Sequence, residues 1–416
     1  MLRKHLDFVA SMQFASRTGD RELDRDIEQW VKEKGRASNW DVAGRHNRDR
    51  WLRLSEAGRM LRGDELIVRH RSGRVQNIRG TRVRNPRKWD TAAAIGGDSD
   101  EWTHGLRLSK AGRTLAYSIC TDDAARTLQR VVPAYNADLL AFWSAADGQV
   151  RGISPIVTAA NDFRDLATNQ TLQIAQSRIH AMLAIAHKRE AGKLKTDFGS
   201  TTPQAATTEE AKPIDLRSDG PTVVQLSENE SLDLLSAGQP TNGYRDFHEL
   251  ILMIALKAFD LPYSFFDESH TNFVGQLAAL QLYRLSCIAK QADLIELLDN
   301  LTRWQMRIAI ASGELAIPNR YTVATLPIEW RANGVPWWDL SKQMRGEALA
   351  IENGLKSPQQ VHAEHGTDFY DVIDQIAEAD KYAMENGIYL PYGVEARKSR
   401  IEKAAKRNGQ STEVAA

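Results

Sequence analysis

Cysteine is scarce. Cys120 and Cys287 are the two in a chain of 416 residues. They stand far apart and form no C-x-x-C, which excludes a disulfide framework or a cysteine-rich zinc site and favours a reducing compartment. Long hydrophobic runs are missing as well. The longest, Leu250 to Leu256, stops at Lys257, well short of the ~18 residues that a membrane span needs. No membrane partner is expected, and the opening MLRKHLDFVASM is too short and too polar for a secretory signal. Net charge is absent too, with 54 Lys+Arg against 54 Asp+Glu. Bulk charge therefore does not drive uniform binding to nucleic acid. The chain has no G-x-x-x-x-G-K-[ST], no G-x-G-x-x-G, no G-x-S-x-G and no H-E-x-x-H. It lacks the local signatures of a phosphate-cradling loop, a dinucleotide site, a nucleophile elbow and a zinc-protease helix. Triads assembled from distant positions are not excluded by this.

The charge that is present is unevenly spread. Residues 1–90 carry 22 Lys+Arg against 13 Asp+Glu, and the remainder 32 against 41. The basic part is arginine-rich from Arg45, Arg48, Arg50 and Arg53 through Arg69, Arg71, Arg74, Arg79, Arg82, Arg84, Arg87 and Lys88, with Trp51 and Trp89 interleaved. That 45–88 pattern fits a nucleic-acid-binding surface that contacts phosphates and stacks bases. It fits better an arginine-rich outer face or a subunit interface, where bidentate pairs with acidic residues of a neighbour fix geometry. His362 and His365, with Asp368 nearby, put two imidazoles on one short helix. This is part of a metal set, the basis for a metal-dependent hydrolase reading, but a site needs a third ligand. Asp98-Ser99-Asp100-Glu101 lacks the spacing of a calcium loop. No catalytic residue, cofactor site or complete metal site emerges.

Periodicity gives the elements. Residues 20–61 read as helical. Within 64–145, two tight turns, Ser72-Gly73 and Ser109–Arg113, separate alternating segments and predict hairpins. Ser154 and Pro155 open a helix expected over 154–189. Residues 190–240 are small and polar, an insertion closed by strand-like 222–226. Helical spacing of Phe247, Leu250, Ile251, Ile254, Ala255 and Ala258 predicts a buried stripe on a helix ended by Pro262. A loop of aromatic and polar residues follows. A long helix is then expected over 273–312, with Leu294, Leu297, Leu298, Leu301 and Ile308 on one side. After an extended 318–330, three short helices end near Gly354, Gly366 and Gly387, and the charged tail 395–416 is expected to fray. The fold class is α+β.

Several short segments, in order, make the chain resemble the portal proteins of tailed bacteriophages, the lambda-type family. They are Gly63-Asp64-Glu65 before a strand, Gly105-Leu106 to Ala111-Gly112-Arg113 with Ala116-Tyr117, and Gln149-Val150-Arg151-Gly152-Ile153-Ser154-Pro155. Further on come Leu261-Pro262-Tyr263, Asn272-Phe273, Ala278-Ala279-Leu280, Val335–Asp339, Gly354-Leu355 and Gly366-Thr367-Asp368. The likeness covers roughly 40–390. Family members carry more residues upstream, so the amino-terminal part reads as shortened. A Ser-Ser-x-Arg common in the family is replaced by Val274-Gly275-Gln276-Leu277.

The resemblance implies a portal-like fold. It has a β-rich wing (1–153), a first stem helix (154–189), a small clip (190–242) and a second stem helix (243–262). A tunnel loop (263–275), a wing-bracing helix with return strands (273–338) and a helical crown and tail (339–416) complete it. It implies a homo-oligomeric ring, commonly of twelve copies, at one capsid vertex of the virion, assembled in the bacterial host cytoplasm. Double-stranded DNA is packaged and ejected through the channel. A terminase motor, the major capsid protein and a head–tail adaptor are the implied partners, with no cofactor and no catalysis. Ser264, Asp267, Glu268, Ser269, His270, Thr271 and Asn272 would line the constriction. Arg151, Gly152, Ser154, Pro155 and Pro262 would be structural members of the family motifs. A near-neutral constriction suits sliding, because a ring repeats every lumen charge in each copy and extra cations would hold the polyanion.

Overall fold

A computed structural model describes residues 2–87, 102–121, 127–143, 148–182, 186–189, 230–233, 242–266, 273–333, 340–388 and 390. In chain order the elements are α1 (Leu2–Val9), β1 (Met12–Ser16), α2 (Arg21–Lys34), α3 (Ala37–Trp40), α4 (Arg48–Arg62), β2 (Asp64–Arg69), β3 (Val75–Arg79), β4 (Trp102–Thr103), β5 (Leu106–Leu108), β6 (Thr114–Cys120), β7 (Leu128–Pro133) and β8 (Ala137–Ala141). They continue as α5 (Ile156–Met182), β9 (Ala186–Arg189), β10 (Glu230–Asp233), α6 (Asn242–Lys257), α7 (Phe273–Ala311), β11 (Ile328–Ala332), α8 (Leu340–Glu352), α9 (Pro358–Glu364) and α10 (Phe369–Glu385). The chain divides into two compact units, one of residues 1–157 with 259–416, the other of 158–258.

In the first unit both expected hairpins form, β2 with β3 and β5 with β6. β8 adds to the other side of β2, and β7 to β6. The resulting three- and four-stranded sheets share one apolar core of Leu66, Val68, Ile78, Leu106, Tyr117, Ile119, Val132 and Ala137. Alternation along the strands supplies it, because every second side chain faces the same way. α7 buries Leu294, Leu297, Leu298 and Leu301, while its earlier turns expose Leu282, Leu285 and Ile288. β1 pairs with β11.

Four expectations need correction. The helical stretch 20–61 is three helices. Gly35 ends α2, and the Asp41 carboxylate accepts the N–H groups of Ala43, Arg45 and His46, holding a turn before Asn47 caps α4. The helix expected over 154–189 stops at Met182; residues 186–189 are a strand because Glu230–Asp233 pairs with it. The stretch 318–330 is mainly turns, closed by Tyr321 N–H on Pro318 O and by Thr322 with Thr325, and only 328–332 is extended. On α6, Phe247, Leu250 and Ile254 are about half exposed, while Leu252, Ala255 and Leu256 are buried. Periodicity marks an apolar face without requiring that the same chain cover it. The strand expected at 222–226 and the acidic 98–101 turn lie outside the described residues.

The three carboxy-terminal helices are α8, α9 and α10. Ser357 and Gln360 form a capping box on α9, and Asp368 caps α10. Arg17 and Arg331 both donate to Asp368, and Arg21–Asp374 and Arg25–Glu378 continue the seam between the amino-terminal elements and α10.

Candidate functional site

The segments Gly63-Asp64-Glu65 and Gln149–Pro155 lie far apart in sequence and meet in space. β2 and β8 pair through Asp64 and Ala141, which brings the 149–154 segment alongside the end of α4. Asp64 is buried. Arg151 grips it with Nε on Oδ2 at 2.5 Å and Nη2 on Oδ1 at 2.7 Å. The rest of the guanidinium is spent on carbonyls: Nη2 on Gly80 at 2.6 Å, Nη1 on Val83 at 2.8 Å and on His104 at 2.7 Å. All five N–H donors of this planar fork are thereby used.

Backbone contacts tighten the same junction. Gly152 N–H donates to Asp64 Oδ2 at 3.1 Å, and Phe142 N–H to Gly63 O at 2.8 Å. A side chain at Gly152 would run into the Gly63 carbonyl, and Gly63 itself has φ +93°. Both positions require glycine, one for close backbone approach and one for the left-handed conformation. Ser154 Oγ donates to Met60 O at 2.6 Å and accepts from Ile156 N–H at 3.1 Å, joining the end of α4 to the start of α5. Pro155 is buried at the same point. Beside the junction, burial pushes the Glu65 carboxyl up to about 7, even though Arg62 donates to it at 2.7 Å.

Pro262 adopts an extended backbone and leads into the 3-10 turn Tyr263–Phe265. Ser264 is buried there. Phe265 packs inward against Phe8 and Tyr283, whereas Phe266 is 57% exposed. Asp267, Glu268, Ser269, His270, Thr271 and Asn272 lie outside the described residues.

Most described arginines of the basic region are engaged within the chain. Arg48 stacks over Trp330 and donates to Val31 O. Arg53 pairs with Asp7, Arg69 with Asp138, and Arg82 donates to Cys120 O and Gln129. Arg59 is wholly buried between Glu56 and Asp293. The bidentate pairing anticipated from the sequence is thus intramolecular at Arg69 and leaves less charge for phosphate. His362 bonds Thr367 Oγ1 and His365 bonds Glu347 Oε1. Among the described residues no three His, Cys, Asp or Glu are grouped to hold a metal ion. No described helix is long and apolar enough to cross a membrane.

The sequence motifs named Asp64, Arg151 and Gly152 separately but did not pair them, and they gave no sign of the acceptor carbonyls of Gly80, Val83 and His104. The only available signal was that the Gly63-Asp64-Glu65 motif sat ahead of a strand.

A 119-residue stretch is 31% identical to the probable portal protein of Halomonas phage phiHAP-1, covering 29% of this chain and 22% of that protein. The matched stretch therefore spans about a fifth of that relative's length. A chain from the neck of an empty gene transfer agent particle, computed with C6 symmetry, superposes with a TM-score of 0.53 at 12% identity, over 88% of both chains. A chain from the neck of the native particle, computed with C12 symmetry, gives 0.49 at 12% identity, again over 88% of both. The first of these likenesses is one of fold. The sequence model described as "Phage portal protein, lambda family" matches residues 6–284, about two thirds of the sequence, and the chain belongs to that family.

Proposed function

We propose that this protein is a portal subunit. Copies form a ring at one vertex of a capsid, and double-stranded DNA passes through the ring's channel during packaging and ejection. The family match across residues 6–284 carries this reading. Chemistry agrees with it: a conduit needs shape and a wall of balanced charge, and the chain has equal numbers of cationic and anionic side chains.

The unit 158–258 supplies the barrel of the channel. Its helices leave Leu172, Ile174, Phe247, Leu250 and Ile254 between 49% and 61% exposed. Apolar surface of this extent on two helices fits burial against neighbouring copies. In this reading 1–153 is the wing, 190–242 the clip that docks the terminase motor and the head–tail adaptor, and 339–416 the crown inside the capsid. Residues 263–275 form the constriction. The ring assembles in the host cytoplasm, joins the major capsid protein, and works without catalysis of its own.

Light scattering on the purified full-length protein tests this. A ring of the number implied by the family has a mass near twelve times the 46.6 kDa chain. A monomer at every concentration overturns the proposal.

A further inference from the structure

The short α1 helix sits against the turn that ends in Phe266, and two sets of contacts that meet at Tyr283 tie α1 to that turn and to the part of α7 beside it. The first is aromatic. Phe8 stacks on Phe265 with ring centroids 5.7 Å apart, and Tyr283 meets both edge-on at 5.4 and 5.2 Å. Lys4 Nζ donates to the Phe265 carbonyl at 2.5 Å and lies over the same ring, 5.6 Å from its centre.

The second set is a hydrogen-bond chain through the interior. His5 is 0% exposed. Its Nδ1 lies 3.1 Å from the Tyr283 hydroxyl and its Nε2 2.9 Å from Glu56 Oε1. Glu56 also accepts from Arg59 Nε at 2.7 Å, and Arg59 Nη2 donates to the Lys290 carbonyl at 3.2 Å. Burial alone would raise the Glu56 carboxyl, but the hydrogen bonds from His5 and Arg59 hold it below its ordinary value. It is therefore a carboxylate, and His5 Nε2 donates to it. Lys290 in turn donates from Nζ to Asp260 at 3.0 Å, just before the turn.

Within the turn, Phe265 N–H donates to Pro262 O, Phe266 N–H donates to Tyr263 O, and the Tyr263 and Phe266 rings meet at 5.9 Å. One 3-10 turn does not persist alone in water. Contacts from α1 and α7 add to these at Phe265.

We propose that Lys4, His5 and Phe8 are positioning residues for the Tyr263–Phe266 turn: α1 acts as a clamp that fixes where the chain leaves Pro262 relative to Tyr283 of α7. The clamp deepens the portal reading, since that turn would lead into the channel constriction, but its existence does not depend on ring formation.

Hydrogen exchange on the full-length protein tests it, comparing peptides over 259–266 with peptides over the β2–β3 hairpin. Phe8→Ala should speed exchange at 259–266 by at least about tenfold with the hairpin unchanged. Lys4→Ala, an exposed change that leaves the core intact, should do so to a smaller degree, and Lys4→Arg should restore protection. Tyr283→Phe keeps the ring stack and removes the hydroxyl, isolating the hydrogen-bond chain. Unchanged exchange at 259–266 in both Phe8→Ala and Lys4→Ala, or equal acceleration of the hairpin, overturns the clamp. Failure of the portal reading would appear instead as a persistent monomer, with the exchange pattern intact.

Discussion

Replacing Arg151 by lysine keeps the charge and removes the fork. The wild-type guanidinium makes five hydrogen bonds, two to Asp64 and three to the carbonyls of Gly80, Val83 and His104. A lysine ammonium has three donors on one atom and cannot reach acceptors spread around a plane. At least two acceptors lose their partner. With about 1–3 kcal/mol for each buried polar group left unsatisfied, the expected loss is about 2–6 kcal/mol. Arg151→Ala strands the buried Asp64 carboxylate and should cost about 3–5 kcal/mol. The assay is native-state hydrogen exchange at Gly152, Ile153 and Phe142, whose N–H groups report the junction directly. A double-mutant cycle with Asp64→Asn should show a coupling of about 2 kcal/mol or more. A loss below about 0.5 kcal/mol for Arg151→Lys would refute the claim that the planar fork organises this junction, because that is the size of an ordinary surface change.

Further outcomes follow from the same structure. Gly152→Ala forces a methyl group into the Gly63 carbonyl and should lower the melting temperature by several degrees or abolish folding, read by thermal melts. Glu65 has a folded-state value of about 7 against an ordinary 4.5, so the folded protein keeps a proton that the unfolded chain releases. Stability from this group is full below about pH 4.5 and declines as pH rises to about 7, by about 3 kcal/mol in the limit. Glu65→Gln should flatten that part of the stability–pH profile, and an unaltered slope between pH 5 and 7 contradicts the assignment. The α2–α10 seam rests on Arg21–Asp374 and Arg25–Glu378, whose arginines are about three-quarters exposed. Pairs of this kind are each worth about 0–1 kcal/mol and weaken with salt, so exchange in α10 should quicken between low and high ionic strength more than exchange in β2.

Local signals carried much of the fold. Turn residues at 72–73 and 109–113 marked both hairpins, and Gly354, Gly366 and Gly387 marked where the last three helices end, because turns and helix stops are written in adjacent residues. Pairings between distant segments were not legible. β1 found β11, and 186–189 left its helix for 230–233, because a strand partner far along the chain leaves no local period. The apolar spacing of Phe247, Leu250 and Ile254 was read as a buried stripe, yet these side chains are exposed in the single chain. Spacing identifies a surface to be covered, not what covers it. At the junction, Arg151 stood out through its motif, while its acceptors are mostly backbone carbonyls, which side-chain identity does not encode.

The portal account is tested most directly by imaging the purified full-length protein as single particles. It requires closed rings with an open axial passage, walled by the helices at 156–182 and 242–257 of successive copies. Discrete compact particles without a central opening, or rings in which those helices face away from the axis, would contradict it.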